Sequence, residues 1–404
     1  MSYFKLSKLF YKNENEWKEE YNNRFNFFST QHFNFLIKEY NRSVECPAFL
    51  CYTPELVQLL DKIYILNIDL MFKNPNLPPA ALAQYTQSCM IEEIQASNEI
   101  EGVHSSRKEI RDAFQQLKNI TKDRPSRFHS IVDKYVKLLN REKINFYTPK
   151  DVRKFYDSFI LQEVTSENKK NAPDGEIFRK DSVEISTGTQ KILHQGVYPE
   201  EKLITEMEKA LNILNSRTYP LFIRIAIFHY LFGYLHPFYD GNGRTIRFIT
   251  AYYIAVEFSP LVAFNLSLFI KRNIKTYYNM FQETNSSINC GDLTFFVTEF
   301  LKIIKESMEE TIEYLSKRSL EYQLYINKIV NLKLSDKLTI ELYAVLLQAA
   351  LFTPLGATMQ EITATINKSR NTILKRFENI PQSHILKDTS EKPHRFKLNL
   401  DAFK

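Results

Sequence analysis

The sequence is poor in cysteine and glycine. Its 404 residues include four cysteines and nine glycines, and no CxxC motif occurs. Cys46, Cys51, Cys89 and Cys290 are irregularly spaced, so we expect reduced, partly buried thiols rather than a disulfide framework. The low glycine content argues against a collagen-like, linker-rich or propeller architecture.

Long apolar runs and a large excess of one charge are also missing. The most apolar stretch, residues 219–238, contains Arg224, His229 and His236, and a bilayer span would not hold all three. The N-terminal residues contain no apolar core of a secretory signal. A net charge of +6, from 53 basic and 47 acidic residues, does not by itself indicate a polyanionic partner. We therefore expect a cytoplasmic protein that makes no membrane contact.

Most of the sequence places apolar residues at three- and four-residue steps, the spacing that is typical of core-facing helices. The first such patterns cover 56–71, 80–99 and 106–117, with a break at 74–79. A further helix is expected to begin at Pro149, and helical patterns then run with interruptions from 200 to about 332. The sequence therefore predicts a mainly α fold.

Two stretches depart from this helical pattern. Between residues 171 and 199, the short alternating runs 177–179 and 183–185 predict a small β-hairpin. Near the C-terminus, three short helical patterns precede two predicted strands, an order that is typical of a winged helix-turn-helix domain. The helical patterns are 338–351, 358–366 and 369–380, and the strands are 383–387 and 396–400.

The densest chemistry lies in the segment 236–247, HPFYDGNGRTIR, which joins two helical patterns. Its glycines allow a close backbone approach, and the helix that begins here directs free N–H groups and the positive end of its dipole at a bound anion. Arg244 and Arg247 share one face of that helix, which suits a polyphosphate. Asp240 offers a hard oxygen ligand for Mg²⁺, and His236 can accept a proton near neutral pH.

This segment resembles the Fic motif, HPFx[D/E]GNGRxxR, at every fixed position. The resemblance implies a helical Fic core and an enzyme that transfers AMP from ATP to a Ser, Thr or Tyr hydroxyl of a target protein or of itself. Fic-like kinases of the Doc type lack the full GNGRxxR run, so AMP transfer is favoured here over phosphate transfer. The predicted regions are then an N-terminal helical region at 1–104, the Fic core at 105–332 and the winged helix-turn-helix domain at 333–404.

The resemblance also implies roles for the first motif residues. His236 would deprotonate the target hydroxyl, and Asp240 would hold Mg²⁺ between the α- and β-phosphates of ATP. Gly241, Asn242 and Gly243 would form an anion hole, with the Asn242 side chain near the α-phosphate.

The remaining ATP contacts are assigned in the same way. Arg244 would bind the β-phosphate and Arg247 the γ-phosphate, which fits a reaction that depends on positioning and charge neutralisation. Tyr277 and Tyr278 lie where family members often place aromatic residues around adenine. Core packing explains this tyrosine pair equally well.

Two further segments resemble regulatory and docking elements of the family. The run FRKDSVEI at 178–185 resembles the flap whose strand pairs with the target backbone, and Val183, Glu184 and Ile185 would supply that strand. The alternative is an ordinary surface hairpin. The run SNEIEG at 97–102 resembles the inhibitory motif [S/T]xxxE[G/N].

The inhibitory resemblance implies that a carboxylate competes with ATP. Glu101 would reach Arg247 and block the γ-phosphate position, and Ser97 would support it through a hydrogen bond. The alternative is that Glu101 is a solvated acid at a helix end. Some inhibited relatives remove AMP, with this glutamate positioning a water, so net de-AMPylation stays open.

A second class of function is a winged-helix regulator whose Fic core senses nucleotide. Lys368, Arg370, Lys375 and Arg376 lie in or just before the third C-terminal helix, which makes DNA a candidate partner. Interspersed acidic residues argue against it, so DNA binding is not favoured. A homodimer that stabilises the inhibitory helix is a further candidate arrangement.

Overall fold

A computed structural model describes residues 3–72, 77–118, 126–186, 192–334, 336–353, 356–390 and 392–404. These residues are mainly α-helical and form three small antiparallel sheets, which confirms the predicted fold class. None of the helices in these ranges has both the length and the apolarity needed to cross a membrane. The four cysteines are free thiols, and Cys46, Cys51 and Cys89 are buried.

The chain divides into two compact units. One contains Met1–Ile65 and Ile91–Met308, and the other contains Leu66–Met90 and Glu309–Lys404. The three regions predicted from the sequence are defined by function rather than by compactness, so this division does not test them and they stay a prediction.

The N-terminal elements are helices and one β-hairpin. In chain order they are α1 (Leu6–Lys12), α2 (Glu14–Phe25), β1 (Thr30–Lys38), β2 (Glu45–Cys51), α3 (Pro54–Phe72) and α4 (Pro79–Ile100). The region 1–104, predicted as helical, therefore also contains paired strands. The missed signal is the alternation within β1, where Phe33, Phe35 and Ile37 are buried and the residues between them are exposed.

The predicted helices in this part of the chain are confirmed. The patterns at 56–71, 80–99 and 106–117 correspond to α3, α4 and α5 (Arg107–Lys118). Residues 74–76 of the predicted break lie outside the described residues. Gly102 follows α4 with a φ of 73°, a left-handed conformation that ends a helix at low cost when the residue is glycine.

The helices around the motif continue to α15. They are α6 (His129–Leu139), α7 (Pro149–Phe159), α8 (Leu161–Glu167), α9 (Glu200–Asn215), α10 (Leu221–Leu235), α11 (Asn242–Glu257), α12 (Pro260–Ala263), α13 (Leu266–Arg272), α14 (Ile274–Asn285) and α15 (Thr294–Val330). α10 is apolar around nearly its whole circumference and is buried almost throughout, as is α11. Because such helices need neighbours on all sides, α10 and α11 form the centre of the core.

The second hairpin differs from its prediction in one strand. β3 (Glu184–Ser186) pairs antiparallel with β4 (Ile192–Gln195), whereas the predicted strand at 177–179 is not a strand. The reason is the Glu200 carboxylate at the start of α9, which accepts the backbone N–H groups of residues 176, 177 and 178 at 3.0, 2.8 and 2.8 Å. Those N–H groups are therefore unavailable to a β-ladder.

The C-terminal part of the second unit contains three helices and a small sheet. They are α16 (Lys337–Phe352), β5 (Ala357–Thr358), α17 (Met359–Ile366), α18 (Arg370–Phe377), β6 (Ile385–Asp388) and β7 (Arg395–Leu398). The strand order is β5–β7–β6. The predicted helices and strands are present, and their assignment to a winged helix-turn-helix domain stays a prediction.

Candidate active site

The motif segment forms the turn between α10 and α11. His236 has a φ of 49° directly after α10, and Gly241 has a φ of 77° directly before α11, so the chain reverses between two left-handed residues. Asn242 closes this turn, because its Oδ1 accepts the Phe238 N–H at 2.9 Å and its Nδ2 donates to the Phe238 carbonyl at 2.7 Å. The Asn242 amide thus shapes the loop, and its contact with an α-phosphate stays a prediction.

The His236 side chain is half-buried and lies close to His194 and Arg179. Burial, helped by the charge of these neighbours, lowers the pKa of His236 to about 3. Its ring also hydrogen-bonds the Gly233 carbonyl. His236 is therefore neutral at physiological pH, but this pKa lies well below the near-neutral value that the sequence predicts.

Arg179 is a functional candidate that sequence reasoning missed. Its buried guanidinium donates to four backbone carbonyls: those of His236 at 2.8 Å, Asp181 at 2.6 Å, Val197 at 3.0 Å and Leu235 at 3.3 Å. Two of these carbonyls end α10, where the helix dipole favours a cation. Burial lowers the pKa of Arg179 to about 10, so it stays charged. One side chain therefore joins the flap to the candidate base.

The flap presents one strand edge next to this region. Val183 accepts the Gly196 N–H at 2.9 Å, and Ile185 lies opposite His194 in the ladder. The His194 Nε2 in turn hydrogen-bonds the Tyr234 carbonyl at 2.6 Å, which fixes β4 to α10. Glu184 is exposed. Among the described residues, β3 therefore has a hydrogen-bonded neighbour, β4, on one edge only.

Asp240 is a half-exposed carboxylate in the turn. Its Oδ1 accepts the Gly241 N–H at 2.5 Å and its Oδ2 accepts from Asn171 at 3.1 Å, while Tyr156 holds its backbone carbonyl at 2.9 Å. Each carboxylate oxygen keeps a free lone pair. In the part of the chain that the structure describes, no group of three or more His, Cys, Asp or Glu side chains could hold a metal. Asp240 thus fits Mg²⁺ in the usual nucleotide arrangement, with one carboxylate and further ligands from phosphate and water.

Arg247 is bound by the end of α4. Its Nη1 lies 2.8 Å from the Glu101 Oε1, its Nε donates to the Ser97 hydroxyl at 3.0 Å, and its Nη2 donates to the Ser97 carbonyl at 2.8 Å. Although burial opposes the charge, the Glu101 carboxylate raises the pKa of Arg247 above its usual value. The structure thus brings together the three residues that the inhibitory resemblance links.

Gly243 explains how the Glu101 carboxylate comes so close. A Cβ atom at position 243 would overlap the Glu101 carboxylate and crowd the Arg247 Nη1. Glu101 therefore lies against the first turn of α11, where free N–H groups and the helix dipole favour an anion. The anion site predicted from the motif is filled by a carboxylate of the same chain.

Arg244 is also paired with a carboxylate. This buried arginine donates from Nη1 to the Glu163 Oε2 at 2.7 Å, and the Glu163 Oε1 accepts from Arg127 at 3.1 Å. Among the described residues, the Arg244 Nε has no hydrogen-bond partner. Burial raises the pKa of Glu163, and the charge of Arg244 opposes that rise. Glu163 and Arg127 carry no motif signal and were missed.

The two candidate adenine residues lie in different environments. Tyr277 is buried, and its hydroxyl lies 2.7 Å from the His229 Nε2 and also contacts Arg247. His229 in turn contacts Thr250 at 2.8 Å, so it is a packing residue. Tyr278 is half-exposed on the side of Glu101. Tyr277 therefore packs against Arg247. An adenine contact stays a prediction for both tyrosines.

Comparison with known proteins places this turn in a recognised domain. Residues 146–254 match the model of the Fic/DOC family and include the whole motif. A search of curated proteins finds no match. Residues 146–254 are therefore similar to a Fic/DOC family domain.

Solved structures extend the likeness beyond this domain. A Fic family protein from Desulfovibrio desulfuricans G20 is 19% identical over 86% of this chain and 96% of its own, with a TM-score of 0.53. A Fic domain containing signaling protein from Bacteroides thetaiotaomicron is 16% identical over 65% of this chain and 97% of its own, with a TM-score of 0.43. A fragment of Fic-1 from C. elegans is 19% identical over 64% of this chain and 71% of its own, with a TM-score of 0.41. The first likeness shows that the fold is that of a Fic protein.

Proposed function

We propose that the protein is an autoinhibited, Mg²⁺-dependent protein adenylyltransferase that transfers AMP from ATP to a Ser, Thr or Tyr hydroxyl of a target protein or of itself. The observation that carries the proposal is the ion pair between Glu101 and Arg247 at the first turn of α11, 2.8 Å between Oε1 and Nη1. An anion site of this kind suits a phosphate, and a tethered carboxylate fills it.

The geometry supports His236 as the general base. The neutral imidazole takes the proton of the target hydroxyl as that oxygen bonds to the α-phosphorus, and the bond to the β-phosphate oxygen breaks to release pyrophosphate. Arg244 and Arg247 would neutralise the β- and γ-phosphates, and Asp240 would hold Mg²⁺, which supplies further charge neutralisation when bound. Gly241 and Gly243 let the loop backbone approach the phosphates.

Inhibition follows from competition for one guanidinium. The Arg247 Nη1 cannot bind a γ-phosphate while it holds Glu101. Because Glu101 is tethered through α4, it competes at a high effective concentration, on the order of millimolar. Removing Glu101 should therefore shift bound ATP into the reactive position.

The flap supports a protein as the second substrate. The edge of β3 that does not face β4 can pair with an extended segment of a target, and Glu184 and Ile185 lie in that strand, directly after Val183. Arg179 fixes this strand relative to His236 through its bonds to Asp181 and to the end of α10.

The test is transfer of label from α-labelled ATP to protein in the presence of Mg²⁺. We expect Glu101→Gly to label protein at least about tenfold more than wild type, because its tethered competitor is gone. Glu101→Gly/His236→Ala should show no labelling. Glu99→Gly is the matched control, since Glu99 ends the same helix but pairs with Lys271.

Two other outcomes are informative. No labelling by any variant, with ATP still bound, would contradict the proposal and favour the nucleotide-sensing regulator. Glu101-dependent release of AMP from a modified target would indicate that the reverse reaction dominates.

A further inference from the structure

Arg127 connects the inhibitory segment to the motif. Its Nη1 donates at 3.2 Å to the carbonyl of His104, three residues after Glu101. Its Nη2 lies 3.1 Å from Glu163 and 3.4 Å from Glu167. The Arg127 side chain is 44% exposed, so it forms the solvent end of this network.

Glu163 forms the inner end of the same network. It is buried on α8 between two guanidinium groups, that of Arg127 on the outside and that of Arg244 on the inside. A buried carboxylate with two cationic partners can lose one of them without becoming an unpaired buried charge. Arg244 differs, because Glu163 is its one charged partner among the described residues and its Nε is unbonded.

We propose that Glu163 is a second internal competitor of the nucleotide: it occupies Arg244 in the resting protein and stays paired with Arg127 when a nucleoside diphosphate group takes Arg244. The proposal rests on the proposed function in assigning Arg244 to the β-phosphate. It adds that both motif arginines are neutralised at rest, each by a different carboxylate.

Two contacts of Arg127 bear on what happens to Glu163 when a phosphate takes its place on Arg244. Glu163 already lies 3.1 Å from Arg127, so it needs no new partner when Arg244 turns to a phosphate. Arg127 also donates to the His104 carbonyl, so one guanidinium contacts both Glu163 and the segment that follows Glu101. If the Glu163–Arg127 contact tightens when a β-phosphate takes Arg244, the phosphate and the position of that segment are linked.

The nucleotide that reports this exchange is ADP, which has a β-phosphate and lacks the γ-phosphate that competes with Glu101. We expect Glu163→Gln to tighten ADP binding at least about fivefold in calorimetry with Mg²⁺, since the competing charge is removed. Arg127→Gln should act in the opposite direction and weaken ADP binding, because Glu163 would be left unpaired. Binding of AMP, which lacks the β-phosphate, should be unchanged in both variants.

Arg107→Gln is the matched control. The Arg107 side chain is 47% exposed and pairs with Glu92 on α4, without a bond to Glu163 or Arg244. The ADP affinity of Arg107→Gln should therefore equal that of wild type. Folded Glu163→Gln with unchanged or weaker ADP binding would overturn the proposal. Should Glu163→Gln fail to fold, Arg127→Gln decides, because unchanged or tighter ADP binding in that variant would equally overturn it. These experiments measure nucleotide binding alone, so a failure of AMP transfer would not affect their outcome.

Discussion

Arg179 shows how a single side chain can organise the candidate site. It donates to four carbonyls from three chain segments, including those of Leu235 and His236 at the end of α10. Gly196 leaves the necessary room, since a Cβ there would overlap the Arg179 Nη2 and touch His236. The guanidinium therefore connects the β3–β4 hairpin region to His236.

Replacing Arg179 by lysine should be costly although the charge is kept. Lysine cannot reach four carbonyls in this fixed geometry, and each buried carbonyl left without a donor costs about 1–3 kcal/mol. We expect the free energy of unfolding of Arg179→Lys to fall by roughly 2–4 kcal/mol in urea titrations. Arg153→Lys on α7 is the control and should lose less than about 1 kcal/mol, because Arg153 donates to one carbonyl, that of Ile177, and its pair with Asp157 is partly exposed. Equal losses in the two variants would contradict the assigned role.

Among the elements, α4 carries two carboxylates with different tasks. Glu101 at its end pairs with Arg247, whereas Glu93, two turns earlier, is fully buried and accepts the N–H of Ser267 at 2.7 Å and its hydroxyl at 2.5 Å. Burial raises the pKa of Glu93 from 4.5 to about 7, and the Ser267 bonds oppose that rise. The helix α4, which ends just before Glu101, is therefore anchored in the core by Glu93, a carboxyl group with a pKa near 7.

Glu93 should make stability depend on pH. Between pH 4.5 and 7 the folded protein holds a proton that the unfolded chain has released, so the contribution is complete below pH 4.5 and is lost as pH rises through 7. At 1.36 kcal/mol per pKa unit, its full size is about 3 kcal/mol. Urea titrations from pH 5 to 8 should show a steeper fall for wild type than for Glu93→Gln, which cannot titrate. Parallel curves for the two proteins would show that Glu93 is not the group responsible.

The two hairpins illustrate what local patterns miss. Buried and exposed residues alternate clearly in β1, but the helical patterns in the same region are stronger and mask this signal. The run 177–179 alternates too, but Glu200 captures the N–H groups of residues 176–178 and prevents pairing. Helices such as α3 and α4 were predictable because their apolar residues recur at three- and four-residue steps along the sequence.

At the scale of the whole molecule, the candidate site is assembled from distant segments. The motif at 236–247 was predictable because its functional residues are contiguous in the sequence. Arg244 and Glu163 are 81 residues apart in sequence, and Arg247 and Ser97 are 150 apart. Pairing at such separations depends on tertiary packing, so Glu163 could not be found without the structure, whereas Ser97 and Glu101 were found through a resemblance.

Ligand-linked stability provides a test on the intact protein. A ligand that binds the folded state stabilises it in proportion to the logarithm of its concentration over Kd. At equal ATP and Mg²⁺, we expect the Tm of Glu101→Gly to rise by a few degrees more than that of wild type, because its Arg247 is free. Glu99→Gly removes the Glu99 contacts with Lys271 and Gln95 but leaves the Glu101–Arg247 pair intact, so it should behave as wild type. An equal rise in all three proteins would show that Glu101 does not limit ATP binding.

The pairing of both motif arginines also affects how ATP reaches the site. With Arg247 on Glu101 and Arg244 on Glu163, the resting pocket carries little net positive charge, so it exerts little long-range attraction on an approaching triphosphate. Under the proposed function, withdrawal of Glu101 would uncover a guanidinium at the positive end of α11, and association of ATP would become faster and sensitive to ionic strength. The Glu101 carboxylate would then regulate the rate of encounter as well as the pose of the bound nucleotide.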